Sequence, residues 1–267
     1  MAARKPSKRA KKYLKLLKPG EEQRSMSTLK LRLLKRLKCT LKYEKLAWSD
    51  GAQLVAGVDE VGRGALFGPV VAAAVILKPD YRIRGLRDSK LLLPEVREVL
   101  AERIREHCVA YAIASVDAAR IDVINIYWAS VEALALAVKK LDPAPDHVLV
   151  DALKIDVECR QTKIIHGDAL SCSIAAASII AKVERDKWMR DFDTRYPLYG
   201  LASNKGYSTP KHKAILREHG PSPLHRQSFA PVWMSQAEQT TDLFAQLQQE
   251  VDVPEIVDEL APAMTIL

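Results

Sequence analysis

Residues 57–64 read GVDEVGRG, and the apolar run VVAAAVIL follows at 70–77. That run is strand-sized and has no polar face, so it reads as a strand buried on both sides. The stretch before it, 53–58, reads as a second strand, and it delivers two adjacent acids, Asp59 and Glu60. Neighbouring side chains on a regular strand point to opposite faces, which would send one carboxylate into the core. Gly62 and Gly64 therefore predict that the strand breaks here and the backbone turns, bringing both acids to one mouth of a sheet. A dinucleotide fingerprint is a competing reading that fits the glycines poorly. Gly62, Gly64 and Gly68 are spaced one residue too widely, and they lead into a strand, where that motif needs a helix.

Further along, Pro94 opens a helix with Val96, Leu100 and Ile104 on one face. A strand follows at 109–116. Asn125 caps a helix running to about residue 141, which Pro143 and Pro145 end. A short strand at 147–150 ends at Asp151, and a weaker one sits at 164–165. A long helix spans 171–195, with Ile174, Ala177, Ala181, Trp188 and Phe192 on one face, and Thr209-Pro210 starts another that Gly220 closes. This alternation predicts an α/β sheet with helices on its faces and a small helical lobe at the end.

Asp151 ends the second apolar strand. Asp168 precedes the long helix, whose dipole would stabilise its charge. With Asp59 and Glu60 this makes four carboxylates, and no cation neighbours Asp59, Glu60 or Asp151 in sequence. Grouped together they repel unless divalent cations lie between them, and hard oxygen ligands select Mg²⁺ or Mn²⁺. Two such ions form a clamp for phosphoryl displacement. Taken singly, each acid also fits a solvated turn or a strand-end cap.

The chain has 267 residues, 48% of them hydrophobic, which excludes wholesale disorder. No apolar run reaches the ~18 residues of a membrane helix, and the basic N-terminus has no apolar stretch behind it to make a secretory signal. Cys39, Cys108, Cys159 and Cys172 form no C-x-x-C pair, so a zinc site is not expected. They fit a reducing, cytoplasmic setting.

The net charge of +8 is uneven. Residues 1–46 carry 16 basic and 3 acidic residues, whereas 236–267 carry 7 acidic and no basic ones. The layout reads as a disordered basic arm (1–28), an amphipathic basic helix and lead-in (29–50), a catalytic core (51–196), a helical lobe (197–235) and an acidic tail (236–267). Arg63, flanked by Gly62 and Gly64, is a candidate phosphate contact. So are Lys90, and Lys182 with Arg185 on the exposed side of the long helix, where Asp186 pairs with Lys182. Tyr207, in a loop, is a candidate for stacking on a sugar or base.

Together these stretches resemble the bacterial ribonuclease HII family. The carrying segments are GVDEVGRG, GPVVAAAVIL, DSK (88–90), LVDAL (149–153), HGDALSCSIAAASIIAKVERD (166–186), NKGYSTPKH (204–212) and HGPSPLHRQSF (219–229), in the family's order. The resemblance implies a ribonuclease-H-like mixed five-stranded sheet flanked by helices, with a C-terminal helical lobe. It implies cleavage of RNA in RNA–DNA hybrids and incision 5′ of single ribonucleotides in duplex DNA, by two-metal hydrolysis giving 3′-hydroxyl and 5′-phosphate ends. Asp59, Glu60, Asp151 and Asp168 match the metal-binding carboxylates. Gly62, Arg63 and Gly64 match the loop that contacts the 2′-OH and adjacent phosphate, and Tyr207 matches the tyrosine at the RNA-to-DNA junction. Ala65 and Phe67 depart from the family's usual Pro and smaller residue. The expected enzyme is a monomer with no small-molecule cofactor and no membrane contact. The alternative is a non-catalytic hybrid-binding module on the same fold.

Overall fold

The structure, a computed structural model, describes residues 37–250, with side-chain surroundings through residue 240. The basic arm, and residues 29–36 of the expected first helix, lie outside that range. In chain order the elements are α1 (Lys42–Ser49), β1 (Val55–Val61), β2 (Val70–Leu77), α2 (Pro94–His107), β3 (Cys108–Val116), α3 (Ala118–Lys139), β4 (His147–Asp151) and β5 (Arg160–Ile164). Then come α4 (Gly167–Leu170), α5 (Cys172–Arg195), α6 (Leu201–Asn204), α7 (Pro210–His219) and α8 (Ala230–Glu250).

The five strands form one mixed sheet in the order β3-β2-β1-β4-β5. The first three make an antiparallel meander, and β4 and β5 run parallel to β1. All of β2 is buried, as its unbroken apolar run predicts. Val70, Ala72, Ala74 and Ile76 pack with Leu134 and its neighbours on α3. Ala73, Val75 and Leu77 pack on the other face, with α5 and α2. Gly57 permits the closest approach: a Cβ there would strike the Ser173–Ile174 backbone, so α5 lies directly on β1. By length and composition α3 would suit a membrane span. Half of that stretch is buried, and it serves as the core helix of the α3 face. Asn125 (φ 65°) breaks α3 and caps its second part, accepting from the Tyr127 and Trp128 N–H groups.

Three expected elements differ. The strand expected at 164–165 is Arg160–Ile164, an edge strand whose polar residues hide its period. Residues 37–41 are not helical, because Thr40 is drawn into a bridge with Ser171 and its N–H donates to Leu170 O at 3.0 Å. In α2, Val96 is 42% exposed, and Leu100, Ala101 and Ile104 carry the packing. The bridge at Thr40 also brings the Cys39 and Cys172 sulfurs to 3.4 Å as free thiols. The final helix α8 runs across the 235/236 boundary read from charge alone.

The C-terminal lobe has its own core of Leu66, Phe67, Met189, Tyr199, Leu201, Leu216 and Val232. Phe67 is fully buried in an aromatic nest, edge-on to His225, Phe192 and Tyr196 at ring separations of 5.0–5.7 Å. Its larger ring thus locks the loop after β1 into the lobe.

Candidate active site

The two central strands place the first three acids. Val58 of β1 pairs with Val150 of β4, so Asp59 and Asp151 are the next residues on parallel neighbours. Contrary to the sequence expectation, β1 does not break at the acids. It continues to Val61, with Asp59 opposite Ala73 and Glu60 opposite Ala72. The acids therefore do alternate. Asp59 turns toward Ser178 of α5, and Glu60 toward Arg63 and Asp151. Asp168 lies in the single turn α4 that follows β5, buried at 7% exposure.

The four acids feel one another around a ring. Burial first, then Glu60 and Asp168, push the Asp59 carboxyl well above its ordinary range. Burial raises Glu60 as well; Arg63 opposes this, and Asp151 adds to it. Burial raises Asp151, the Gly167 N–H donating at 3.2 Å opposes, and Asp168 adds. An all-oxygen set of crowded, repelling carboxylates is the donor chemistry of a hard divalent cation. Among the described residues no three acid, His or Cys side chains are drawn into a finished metal cage. Two side-chain cations balance part of the charge. Arg63 Nη1 meets Glu60 Oε1 at 3.0 Å, and Lys90 Nζ meets Asp168 Oδ2 at 3.2 Å. Partial desolvation opposes the Lys90 charge, but Asp168, Asp88 and Asp59 outweigh it and hold its pKa above the ordinary lysine value.

The helix-dipole argument for Asp168 needs correction, because another acid occupies that position. Glu44 of α1 is fully buried at the start of α5. Its Oε1 accepts from Ser171 Oγ at 2.6 Å and from the Ser173 N–H at 2.8 Å. Glu44 shares a helical face with Leu37 and Leu41 in sequence, and an acid on an apolar stripe was the available signal for it.

Arg185 also needs correction. Expected on the exposed side of α5, it is fully buried, because the lobe covers that side. Its guanidinium donates to the carbonyls of Lys205 (2.9 Å), Pro69 (3.3 Å) and Phe67 (3.3 Å), and lies 5.4 Å from the Tyr207 ring centre. Lys182 is bound to Asp186 at 2.6 Å, the pairing expected from their spacing. Gly62 has φ +92°, and a Cβ on it would run into the Arg185 guanidinium. A Cβ added at Gly64 would meet nothing within 4 Å.

Arg226, fully buried, was not singled out in the sequence. It donates to Arg63 O and Gly68 O, each at 2.9 Å, and so ties the middle of the Gly-Arg-Gly loop to Gly68, just before β2. Half-buried Tyr207 bridges to Ala65 on the same loop, and the Leu66 N–H donates to Gly206 O at 2.7 Å. Arg63 and Lys90 thus touch the acids from two separate segments, and Tyr207 lies against the loop that carries Arg63.

The family described as Ribonuclease HII matches residues 56–232. A ribonuclease HII of Koribacter versatilis is 65% identical over 238 residues, covering 88% of this chain and 93% of that protein. One of Solibacter usitatus is 56% identical over 197 residues, covering 74% and 86%. Among solved structures, the ribonuclease H2 of Pyrococcus horikoshii superposes with a TM-score of 0.62 at 26% identity, covering 71% of this chain and 99% of that one.

Proposed function

The chain belongs to the ribonuclease HII family, whose members are endonucleolytic hydrolases acting on RNA–DNA substrates, and from that premise we propose that it incises duplex DNA 5′ of single embedded ribonucleotides and cleaves the RNA strand of hybrids. The convergence of Asp59, Glu60, Asp151 and Asp168 at the ends of β1 and β4 and on α4 carries this reading. These four would hold two Mg²⁺ or Mn²⁺ ions. Bound there, such ions supply the charge that activates a water and stabilises the leaving 3′ oxygen, leaving 3′-hydroxyl and 5′-phosphate ends.

The chain's own groups do the positioning. Gly62, Arg63 and Gly64 present bare N–H groups and a guanidinium to the ribose 2′-OH and its phosphate. Lys90 orients Asp168 and meets a phosphate oxygen. Tyr207 packs on the sugar at the junction from RNA to DNA. Arg185 and Arg226 act from behind, as braces of the loops that carry these contacts.

The test is cleavage of a duplex with one ribonucleotide, with and without divalent metal. Asp59→Asn and Asp151→Asn should abolish incision and keep duplex binding. Wild-type rates in either variant would refute the assignment of the acids. Cutting of all-DNA duplexes at a comparable rate would refute the substrate.

A further inference from the structure

Two histidines that the proposed chemistry does not use are buried side by side in the lobe. His212 lies in α7, and His225 in the loop before α8. Their Nε2 atoms are 3.0 Å apart. The surrounding bonds fix which nitrogen holds each proton. The Ser222 N–H donates to His225 Nδ1 at 2.9 Å, so that nitrogen is an acceptor. A neutral His225 then carries its proton on Nε2 and donates it to His212 Nε2. His212 in turn holds its proton on Nδ1 and donates to the Tyr207 carbonyl at 3.0 Å. Burial lowers both pKa values, which keeps both rings neutral, as this chain of bonds requires.

Each end of the relay reaches a proposed substrate-reading loop. At one end, the Tyr207 carbonyl is gripped by His212 and by the Thr209 N–H at 2.8 Å. At the other, His225 bridges to Phe67, and the next residue, Arg226, holds Arg63 O. We propose that His212 and His225 are positioning residues that fix Tyr207 relative to the Gly-Arg-Gly loop and thereby set the preference for a single embedded ribonucleotide over a continuous hybrid. This rests on the proposed role of Tyr207 as the junction contact.

The test exploits the two nitrogens of His212. An asparagine amide replaces the Nδ1 donor, whereas a glutamine amide replaces the group at Nε2. His212→Asn therefore keeps the bond to Tyr207, and His212→Gln loses it. The readout is kcat/KM on a duplex with one ribonucleotide divided by kcat/KM on a uniform RNA–DNA hybrid. That ratio cancels effects on the shared chemistry. Urea midpoints are measured alongside it. His212→Gln is expected to lower the ratio by roughly tenfold, the scale of one lost hydrogen bond. His212→Asn should stay within about twofold of wild type by the same scale. If His212→Gln does not fold, His225→Asn carries the test, since it keeps the Ser222 bond but no longer holds His212 in the tautomer that donates from Nδ1 to Tyr207, a constraint the amide of His212→Asn does not need.

Equal ratios in all variants, or equal losses in His212→Asn and His212→Gln, overturn the proposal, because a packing role would move both alike. Tyr207→Ala serves as the reference. If it lowers the ratio and the histidine variants do not, only the relay fails. If it leaves the ratio unchanged, the reading of Tyr207 fails and the relay falls with it.

Discussion

Acidification should loosen the lobe before it titrates most carboxylates, and the cause is His225. Burial, followed by the facing His212, lowers its pKa from 6.5 to about 3 in the folded chain. Between those values the unfolded chain binds a proton that the folded chain refuses. The group's contribution is therefore complete above pH 6.5 and is lost as the pH falls toward 3. At pH 5.0 the loss from His225 alone is about 2 kcal/mol, from 1.5 pH units at about 1.36 kcal/mol each. His212, also lowered by burial, adds in the same direction. Asp59, Glu60 and Asp151 act in the opposite sense, because a carboxyl raised by folding takes up protons in the folded state as the pH falls. The comparison must therefore be differential. Urea unfolding at pH 7.5 and 5.0, in chelator, is measured for wild type and for the His212→Asn/His225→Asn double variant. Wild type should lose at least about 2 kcal/mol more than the variant over that interval. Equal losses would refute the claim that these imidazoles are buried and neutral.

Glu44→Ala removes an acceptor used by Ser171 Oγ and the Ser173 N–H at the start of α5. A drop of about 3 kcal/mol in unfolding free energy is expected, and an unchanged denaturant midpoint would contradict it. Gly62→Ala pairs a φ of +92° with a Cβ directed at Arg185. It should cost about 1–3 kcal/mol and raise KM for the ribonucleotide duplex; full activity would show that the loop bends freely. Deleting residues 1–28 should weaken duplex binding at low salt, reduce its salt dependence and spare the cleavage position. A shifted cut site in product sequencing would give the arm a role in substrate choice.

What could be read beforehand followed the strength of local patterns. β2 was plain because eight apolar residues in a row fit only a doubly buried strand. The helix at Pro210–His219 was plain because Thr209, Pro210 and Gly220 punctuate both its ends. β5 was shifted because an edge strand bearing Arg160 and Lys163 has no apolar period. Strand alternation together with Gly62 and Gly64 predicts a turn at the adjacent acids. They stay in the strand, one on each face, because Asp59 meets Ser178 of α5 on one side and Glu60 meets Arg63 on the other. Arg185 departs from its expected exposure for a different reason. Helical periodicity shows which face meets the sheet, and it carries no information about a lobe folding over the opposite side. The four acids could be chosen in sequence, but their convergence depends on β4 crossing over to lie beside β1, a long-range pairing.

The order in which the parts occur along the chain has a consequence for synthesis. All four carboxylates exist once residue 168 is made, and every strand of the sheet is already present. The loop bearing Arg63 gains its first brace at Arg185, its contact with Gly206 later, and the grip of Arg226 only near the end. A chain growing from the ribosome therefore owns its acidic centre some sixty residues before the loop beside it is fully held. The pieces on which substrate choice depends arrive last, so an unfinished chain lacks the loop braces that the proposed ribonucleotide discrimination requires.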